Sequence, residues 1–406
     1  MLKLILKFNL ILKKIFKTLT NLTLTIPDKK EILIFDSYSD IFLDILNLNK
    51  KKSFLLDVRY NNFYFYFFLK VLLKSLFKLK LNELYRLYLL EVIKHINPKI
   101  IVTFIDNNPF FFQLYKSIKA ITICVQNAPR FSTEQKIFQR KAKSDFFFCS
   151  GDNQKKILNN IKTNFHAIGS IKNNQFKLKT IKNNKIVFIS QLSTANNFIS
   201  DNYIKNAPKK WLSKFRNSYN VNFETFYSTE LRILPLLALF CEENNYILQI
   251  IPRATATSPH TSFEHNFYNN IIGKITKNYS ILKKSNWKSS YLHLNRKNTI
   301  VCIESTLGIE ALRQGLKVLF CNRDFYVGWE DQNPIQFLFK NYENILWTQK
   351  ETKEKFFNTL KYMINIETTK WNKLLEKKIF PEINKIISYD YKNKKIKKFF
   401  KHVLSN

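Results

Sequence analysis

The sequence predicts an α/β protein with two domains whose sheets are mostly parallel, and three observations lead to this fold class. Short apolar runs typical of buried parallel strands alternate with stretches that have helical periodicity. A polar and basic stretch, "GSIKNNQFKLKTIKNN" at residues 169–184, interrupts the alternation. A second alternating series follows it, so the pattern indicates one α/β domain on each side of a linker.

Each predicted element follows from its local pattern. Strands are expected where an apolar run is bounded by polar residues, as in "KKEILIFD" and "KIIVTFIDNN". The predicted strand segments are 29–36, 99–108, 120–130 and 144–151 in the first series, and 185–191, 246–253, 298–304 and 316–322 in the second. Helices are expected at 63–94, at 224–245 and over most of the chain from residue 351 onward.

The domain boundaries follow from these elements. We predict a basic amphipathic leader, an N-terminal domain, a linker, a C-terminal domain, and a helical region with a basic tail. These segments span residues 1–28, 29–172, 173–184, 185–350 and 351–406. The carboxyl ends of the parallel strands in both domains are expected to face a cleft between the domains.

The charge of the chain limits the classes of partner. Lysine and arginine exceed aspartate and glutamate by 66 − 30, a net charge of +36, which normally indicates an acidic partner such as nucleic acid, an anionic membrane or a phosphorylated substrate. The lysines are spread along the whole chain, however, and the enrichment in Lys, Asn, Ile and Phe is typical of an AT-rich genome. We therefore expect a general attraction to anions and no dedicated nucleic-acid site.

The cysteines and the two basic termini bear on the cellular compartment. The five cysteines lie in or beside apolar runs without a Cys-x-x-Cys pair, which favours small core residues in a reducing cytoplasm. Lysines interrupt the leader too often for a membrane span, so it is either an interfacial amphipathic helix or a frayed or core-packed first helix. The lysine-rich tail is a solvated face or a weak anchor to anionic lipid. We expect a cytoplasmic protein, either free or peripheral on the inner membrane.

The segment "IESTLGIEALRQGLKVLF" at residues 303–320 predicts a strand, a turn with two hydroxyls and a short helix. Ser305 and Thr306 stand where a helix N-cap is expected, and Gly315 stands where the helix should end. The small residue Gly308 lies on the face predicted to pack closely on the sheet, and Glu310 is expected in the first turn, pointing away from it. Free N–H groups and hydroxyls at such a helix start form a pocket for phosphate, and Glu310 can accept hydrogen bonds from ribose hydroxyls.

Arg253 ends the predicted strand at 246–253. A guanidinium at the carboxyl end of a strand can hold a phosphate with two parallel hydrogen bonds. A surface salt bridge is the alternative interpretation. The same stretch of chain contains "PHTSFEH", in which His260, Glu264 and His265 resemble a metal-ligand set only loosely. A Ser or Thr cap followed by a helix with Glu264 in its first turn explains this stretch more simply, so no metal site is expected.

Polar residues also end the predicted strands of the N-terminal domain. Asp106 can act as a base toward an acceptor hydroxyl or as a nucleophile, and the alternative is that it caps the turn that follows it. Asp36 has the same placement in an earlier strand. Gln126, Asn127 and Arg130 either line an acceptor pocket or only close a loop.

Several of these segments resemble a known group of enzymes. The segment "STLGIEALRQGLKVLF" resembles the phosphate- and ribose-binding turn in the C-terminal half of GT-B glycosyltransferases, in particular bacterial surface-carbohydrate biosynthesis proteins related to capsule transferases. Other segments resemble the same proteins in the same order, namely residues 55–74, 102–116, 123–130, 167–174 and 324–334. The resemblance covers nearly the whole chain apart from the basic leader and tail.

The resemblance implies two Rossmann-like domains and a sugar transfer that needs no metal and no cofactor beyond the nucleotide-sugar donor. The C-terminal domain would hold the donor through Arg253, Ser305, Thr306, Gly308 and Glu310. The N-terminal domain would hold a glycan or lipid-linked acceptor. A glycerophosphotransferase, a sugar-nucleotide epimerase and a non-catalytic basic protein that binds membranes or nucleic acid are the alternative functions.

Overall fold

The computed structural model describes residues 22–58, 63–76, 83–130, 142–178, 180, 184–192, 227–258, 261–303, 305–322, 335, 339–349 and 352–405. The predicted leader lies outside the described residues up to residue 21. His260 and the segment 324–334 also lie outside them.

The described strands are, in chain order, β1 (Leu22–Thr23), β2 (Ile32–Phe35), β3 (Ser53–Leu56), β4 (Phe63–Tyr64), β5 (Ile100–Thr103), β6 (Ile121–Val125), β7 (Ala142–Cys149), β8 (Ile161–Ala167), β9 (Lys185–Ile189), β10 (Ile247–Ile251), β11 (Tyr279–Ile281), β12 (Thr299–Cys302), β13 (Lys317–Cys321) and β14 (Trp347–Thr348). The described α-helices are α1 (Ile41–Ile45), α2 (Phe65–Leu76), α3 (Leu84–Ile96), α4 (Gln154–Ile157), α5 (Ser228–Glu243), α6 (Thr261–Ile272), α7 (Trp287–Leu292), α8 (Thr306–Arg313), α9 (Lys353–Asn365), α10 (Thr368–Leu374), α11 (Phe380–Ile386) and α12 (Lys394–Ser405).

The chain forms two compact units. The N-terminal unit contains residues 1–130, 135–171 and 392–406, and the C-terminal unit contains residues 131–134 and 172–391. The last helix, α12, therefore belongs to the N-terminal unit, whereas α9 to α11 belong to the C-terminal unit. Within the N-terminal unit the Phe399 ring lies 4.6 Å from the ring of Phe146 and 5.0 Å from that of Phe148 on β7. This contact explains the aromatic residues on one face of the lysine-rich helix.

The N-terminal unit has a six-stranded parallel sheet in the order β3-β2-β5-β6-β7-β8. The central strands are continuous apolar runs because both of their faces are covered; all four residues of β2 and of β5 are buried. Counted in the order in which the strands occur in the chain, the sheet order is 2-1-3-4-5-6. The order therefore reverses between β2 and β5, and Phe35 pairs with Thr103 at that point.

The C-terminal unit has a second six-stranded parallel sheet, in the order β11-β10-β9-β12-β13-β14. Counted along the chain this is 3-2-1-4-5-6, the strand order of the Rossmann fold. One face packs with α5 and α6 through Ile186 and Phe188 of β9. The other face packs with α7 and α8 through Val187 and Ile189. The predicted fold class, two Rossmann-like α/β units with a helical C-terminal region, is confirmed.

The structure adds detail that the sequence pattern did not contain. The segment 63–94, predicted as one helix, contains strand β4 followed by the described helices α2 and α3. Strands β3, β8, β11 and β14 were not predicted. The stretch predicted as a linker includes Asn173 and Asn174, which are buried and accept hydrogen bonds from the Gln314 side chain at 2.5 Å and from the Asp390 N–H at 3.0 Å. Within the described part of the chain no helix combines the length and the apolar character needed to cross a membrane.

Candidate functional site

The carboxyl edge of the second sheet carries a polar residue after almost every strand. Ser190 follows β9, Arg253 comes shortly after β10, Lys284 follows β11, and Ser305 follows β12. The order of this sheet reverses between β9 and β12, and ligands of open α/β sheets bind at such a reversal, outside the carboxyl ends of the strands. Since adjacent strands lie about 4.8 Å apart, the ends of β10 and β12, on either side of β9, lie roughly 10 Å apart.

Arg253 and Lys284 are two of the cations that the described residues place at this edge. Arg253 is exposed, and its Nη1 lies 3.5 Å from the carbonyl oxygen of Gln191. The Lys284 Nζ donates hydrogen bonds to the carbonyl oxygens of Pro252 at 3.0 Å and Arg253 at 2.7 Å. Burial lowers the pKa of the Lys284 ammonium below its ordinary value, although the charge of Glu264 opposes this effect. The edge therefore presents one open guanidinium beside a half-buried ammonium.

Glu264, in the first turn of α6, fixes the loop that carries Arg253. Its Oε1 accepts hydrogen bonds from the N–H of Arg253 at 2.8 Å and from the hydroxyl of Ser190 at 2.5 Å. Its Oε2 accepts from the N–H of Ala254 at 2.8 Å, and the carboxylate is fully buried. The hydroxyl of Tyr268, one turn later, donates to Ser190 at 2.5 Å. The prediction that Glu264 lies in a first helical turn is confirmed, and its role is to tie the ends of β9 and β10 together.

Helix α8 begins at this edge with open donors. Ser305 is its N-cap by backbone geometry, but the Ser305 side chain forms no capping hydrogen bond. The first intrahelical bond runs from the N–H of Ile309 to the carbonyl oxygen of Ser305 at 3.1 Å, so the N–H groups of residues 306–308 precede it and find no partner within the described residues. Ser305 is nearly buried and Thr306 half-buried, and neither hydroxyl is bonded within the described part of the chain. Donors of this kind at a helix start suit an anion.

The two glycines of this segment have the structural roles that the sequence predicted. A Cβ atom at Gly308 would lie 2.4 Å from the sulfur of Cys302 and 3.2 Å from the ring of Phe320, so only glycine permits this approach of helix to sheet. Gly315 has φ 89° and ends the helix. Its N–H donates to the carbonyl oxygen of Leu312, and the next N–H, that of Leu316, donates to Ala311, which together form a Schellman motif.

Glu310 is placed differently from the prediction. It lies beyond the first turn of α8, which contains no acidic residue, and its side chain is buried rather than open. Its Oε2 accepts a hydrogen bond of 2.7 Å from the hydroxyl of Tyr291 on α7. The sequence prediction was wrong because helix α8 begins at Thr306, which moves position 310 past the first turn and toward the neighbouring helix. A ribose contact by Glu310 stays a prediction.

Asp36 lies at the point where the order of the first sheet reverses. It directly follows β2, is buried, and has φ 81°, a conformation that non-glycine residues adopt rarely. Its Oδ1 accepts a hydrogen bond of 2.9 Å from the N–H of Tyr38. Backbone strain of this kind is concentrated at functional sites, so the position agrees with a role at this edge.

Asp106 and Arg130, predicted as a catalytic and an acceptor-binding residue, form an ion pair with each other. The Arg130 Nε donates to Oδ2 at 2.8 Å and its Nη2 donates to Oδ1 at 2.7 Å, the bidentate geometry of the strongest such pairs. The Asp106 side chain is 1% exposed and that of Arg130 is 15% exposed. Both carboxylate oxygens of Asp106 are therefore already engaged.

Gln126 belongs to the same buried network. Its Nε2 donates to Oε1 of Gln154 at 2.7 Å, and its Oε1 accepts from the N–H of Ser150 at 2.8 Å. Gln154 in turn accepts from the N–H of Arg130 at 2.7 Å and donates to its carbonyl oxygen at 3.1 Å. Asn127, in contrast, is exposed. Of the three predicted acceptor residues, Asn127 alone has an open side chain.

The cysteines and the candidate metal ligands are the other reactive side chains that the sequence singled out. All five cysteines are buried. Burial raises the pKa of Cys149 and of Cys241 to about 12 and that of Cys124 well above its ordinary value, so these thiols stay protonated. The described residues contain no cluster of His, Cys, Asp and Glu side chains with the geometry of a metal site. His260 lies outside them.

The sequence matches a family model described as "putative O-antigen biosynthesis protein" over residues 123–404, which is more than half of the chain. The chain belongs to this family. The family description places the chain in the synthesis of a bacterial surface carbohydrate, as the resemblance of the segment at 305–320 implied. No curated protein matches the sequence.

Several solved structures are similar to this member of the O-antigen family. The sucrose-phosphate synthase of Thermosynechococcus elongatus is 8% identical, with a TM-score of 0.48 over 93% of this chain and 100% of that one. The UDP-GlcNAc 2-epimerase of Methanocaldococcus jannaschii is 12% identical, with a TM-score of 0.47 over 92% and 91% of the two chains. A UDP-forming trehalose-phosphate synthase of Burkholderia xenovorans is 9% identical, with a TM-score of 0.47 over 93% and 99%. Likenesses this low do not indicate a substrate.

Sequence reasoning missed two residues of the carboxyl edge. Lys284 follows β11, a strand of three residues, "YSI", that is too short to be read from its pattern. Glu264 was predicted in its helix, but its partners lie 10 to 74 residues away along the chain and only the fold brings them together. The doubled lysine after an apolar run, "ILKKS", was the one signal that could have drawn attention to Lys284.

Proposed function

We propose that this protein transfers a sugar from a nucleotide-activated donor to a glycan or lipid-linked acceptor during O-antigen biosynthesis. The observation that carries the proposal is the carboxyl edge of the second sheet. The strand order reverses there between β9 and β12, and the same edge carries an open guanidinium, an ammonium and the uncapped start of α8. Family membership supports the pathway, and the chemistry of this edge supports an anionic donor.

In this proposal the donor diphosphate lies at the carboxyl edge of the second sheet. Arg253 supplies paired N–H donors, Lys284 supplies a second positive charge, and the N–H groups that begin α8 supply donors aligned with the helix dipole. Ser305 and Thr306 add hydroxyl groups to the same turn. Gly308 lets the helix sit close to the sheet, which sets the position of these donors.

The same groups would act in the chemical step. Cleavage of the bond between sugar and phosphate leaves negative charge on the departing diphosphate. Fixed cations and backbone donors that face this charge stabilise it without reorganising. Glu264 acts indirectly: it does not contact the donor but holds the backbone of Arg253 and Ala254 in place. The proposed chemistry therefore depends on a loop whose geometry is set from the interior of the unit.

The acceptor is proposed to bind at the N-terminal unit, near the reversal between β2 and β5. Asn127 and the partly exposed edge of Arg130 are the side chains open to it. Because Asp106 is buried and held by two hydrogen bonds, we assign it the positioning of Arg130 rather than proton transfer. Asp36, at the same reversal, stays the candidate for a catalytic carboxylate.

Nucleotide binding tests the proposal directly. Isothermal titration calorimetry with UDP, GDP, dTDP and CMP should detect one nucleotide that binds. Arg253→Ala should weaken that nucleotide about 10- to 100-fold, since charge-assisted hydrogen bonds contribute about 1.5–3 kcal/mol. The matched control is Arg296→Ala, an exposed arginine before β12, at the opposite edge of the same sheet.

Four outcomes would contradict the proposal. One is the absence of binding for all four nucleotides, and another is an equal loss of affinity in the Arg253 and Arg296 variants. The third is conversion of a nucleotide sugar in the absence of any acceptor, followed by NMR, which would identify an epimerase instead. Binding to RNA with a steep salt dependence and no nucleotide affinity would identify a basic binding protein.

A further inference from the structure

A second concave site lies in the C-terminal unit, at the edge of the sheet where strands β9 and β12 begin. It is a cavity of about 560 Å³ whose wall includes Lys185, the first residue of β9, and Asn298, which directly precedes β12. The segment 175–178 and the end of helix α7 complete the wall. Neither Arg253 nor Ser305 lines it, so this cavity is separate from the carboxyl edge to which the donor is assigned. Its volume falls within the range of roughly 300–1,000 Å³ that ligand pockets occupy.

The most unusual residue of this cavity is Gln249, in the middle of strand β10. The strand reads "ILQII"; on the same face of the sheet its neighbours include the apolar Val187, Ile251 and Ile300, and Ser280 lies opposite it on β11. Gln249 is 6% exposed and lines the cavity, and its carboxamide forms no hydrogen bond within the described part of the chain. A polar side chain in the centre of a buried parallel strand disfavours the fold unless something satisfies it.

Two further carboxamides belong to residues of the wall. Within the described part of the chain, the Oδ1 of Asn298 and the Nε2 of Gln175 have no hydrogen-bond partner. Both atoms have almost no accessible surface, so they lie behind the wall and do not face the cavity. Gln249 is therefore the carboxamide that can both donate to and accept from a ligand. A ligand explains this carboxamide better than packing does.

Aromatic rings form another part of the wall. The rings of Phe176 and Tyr291 are stacked with centroids 4.8 Å apart and an interplanar angle of 4°. The Tyr291 hydroxyl donates to Glu310, which fixes the orientation of the ring. Tyr391, also part of the wall, is 37% exposed. Fixed rings of this kind provide apolar surface for the C–H groups of a ligand.

We propose that this cavity is a saccharide-binding site, which takes one or two sugar units at the edge of the sheet opposite the donor. Sugar hydroxyls both donate and accept, so they match the carboxamide of Gln249, which does the same. The C–H faces of a sugar ring match the aromatic wall. An apolar ligand would leave this carboxamide unsatisfied, and a simple anion would accept from its NH₂ group but leave its Oε1 unpaired.

The charges of the wall exclude a cationic ligand. Among the described residues no acidic side chain lines the cavity, whereas Lys177 and Lys185 do, the former exposed and the latter half-buried. Burial lowers the pKa of His293, and the charge of Lys185 lowers it further, so this wall residue is neutral at neutral pH. Neutral and acidic sugars share the chemistry that this wall recognises.

Saturation-transfer difference NMR on the full chain tests the proposal with glucose, galactose, N-acetylglucosamine and glucuronate as probes. At least one probe should give a signal. Gln249→Met keeps the length of the side chain and removes its amide, and it should weaken binding about tenfold, as expected for one lost hydrogen bond. Gln175→Met is the second variant. The Nε2 of Gln175 makes no hydrogen bond within the described residues, so its removal should not affect folding.

The controls separate this site from the donor site. Gln113→Met, a half-buried glutamine of the N-terminal unit, should bind the probe as the wild type does. Arg253→Ala should also retain the signal, and excess nucleotide should not displace the probe. The proposal is overturned if none of the four probes gives a signal, if both cavity variants bind as the wild type does, or if a nucleotide displaces the sugar. It stands if the signal persists even when no nucleotide binds, so its failure is distinct from that of the proposed function.

Discussion

Replacing Glu264 by glutamine tests whether a buried carboxylate holds the loop of Arg253. The wild-type carboxylate accepts three hydrogen bonds, two from the backbone N–H groups of Arg253 and Ala254 and one from the Ser190 hydroxyl. A glutamine side chain has nearly the same shape but only one oxygen. Its NH₂ group must face either the N–H of Ala254 or the N–H of Arg253, so one buried backbone donor loses its acceptor in either orientation.

The expected cost follows from the lost bond. A hydrogen bond to a charged group contributes about 1.5–3 kcal/mol, and a buried donor left unpaired costs about 1–3 kcal/mol. These two figures describe overlapping parts of the same loss, so we expect Glu264→Gln to lower the free energy of unfolding by about 2–4 kcal/mol. Glu264→Ala removes all three bonds and leaves a cavity, and it should cost more than the glutamine variant.

Tryptophan fluorescence during a urea titration measures this loss in the right part of the protein. All five tryptophans of the chain lie between residues 172 and 391, so their emission reports the C-terminal unit alone. The matched control is Glu243→Gln, whose carboxylate is exposed and pairs with Lys353 at 2.9 Å on the surface. That pair should contribute at most about 1 kcal/mol.

The reasoning is refuted if Glu264→Gln unfolds within about 0.5 kcal/mol of the wild type, the range of ordinary surface substitutions. Such a result would mean that the loop after β10 does not depend on the carboxylate. The same variant also tests the proposed function, because Arg253 lies in that loop. If the loop is held as described, Glu264→Gln should weaken nucleotide binding although Glu264 itself faces the interior.

Three further predictions follow from the same structure. Gly308→Ala should cost about 1–3 kcal/mol by overpacking against Cys302, and adding Cys302→Ala should restore part of the loss in the same fluorescence titration. Arg130→Met should cost about 3–5 kcal/mol by leaving Asp106 charged and buried, measured by far-UV circular dichroism, and adding Asp106→Asn should recover part of it. The pKa of Lys284 lies below the ordinary 10.5, so between these two pH values the unfolded chain binds a proton that the folded chain does not, and the free energy of unfolding should rise with pH. Lys284→Met should abolish this rise. The nucleotide affinity of the wild type should fall over the same pH range.

The sequence predicted the parallel strands well for a physical reason. A strand covered on both faces needs apolar side chains in both directions, so β2, β5, β9 and β12 appear as unbroken apolar runs. The short strands β11 and β14 have no such run. Their places in the sheet are set by hydrogen bonds to a neighbouring strand, and no local sequence pattern predicts this pairing.

The candidate site was predictable where it depends on strand ends, and unpredictable where it depends on contacts between distant segments. Arg253 and Ser305 come shortly after their strands, so the sequence predicted them at the carboxyl edge. The partner of Glu310 is Tyr291, on a different helix, and the partner of Asp106 is Arg130, beyond the next strand. A local sequence pattern could predict neither pairing. Glu310 and Asp106 were both predicted to face a ligand, and in the structure both are hydrogen-bonded inside the protein.

For the proposed function, this difference favours the C-terminal unit as the one that holds the anionic donor. Binding a phosphate requires donors that are not already satisfied, since breaking an internal hydrogen bond offsets the new one. At the strand ends of the N-terminal unit, Asp106 pairs with Arg130 and Gln126 pairs with Gln154, so those donors are engaged. At the carboxyl edge of the C-terminal unit, the guanidinium of Arg253 is exposed and the N–H groups that begin α8 are open. A nucleotide can therefore gain its bonds in the C-terminal unit without displacing others, whereas in the N-terminal unit it would first have to separate a buried ion pair.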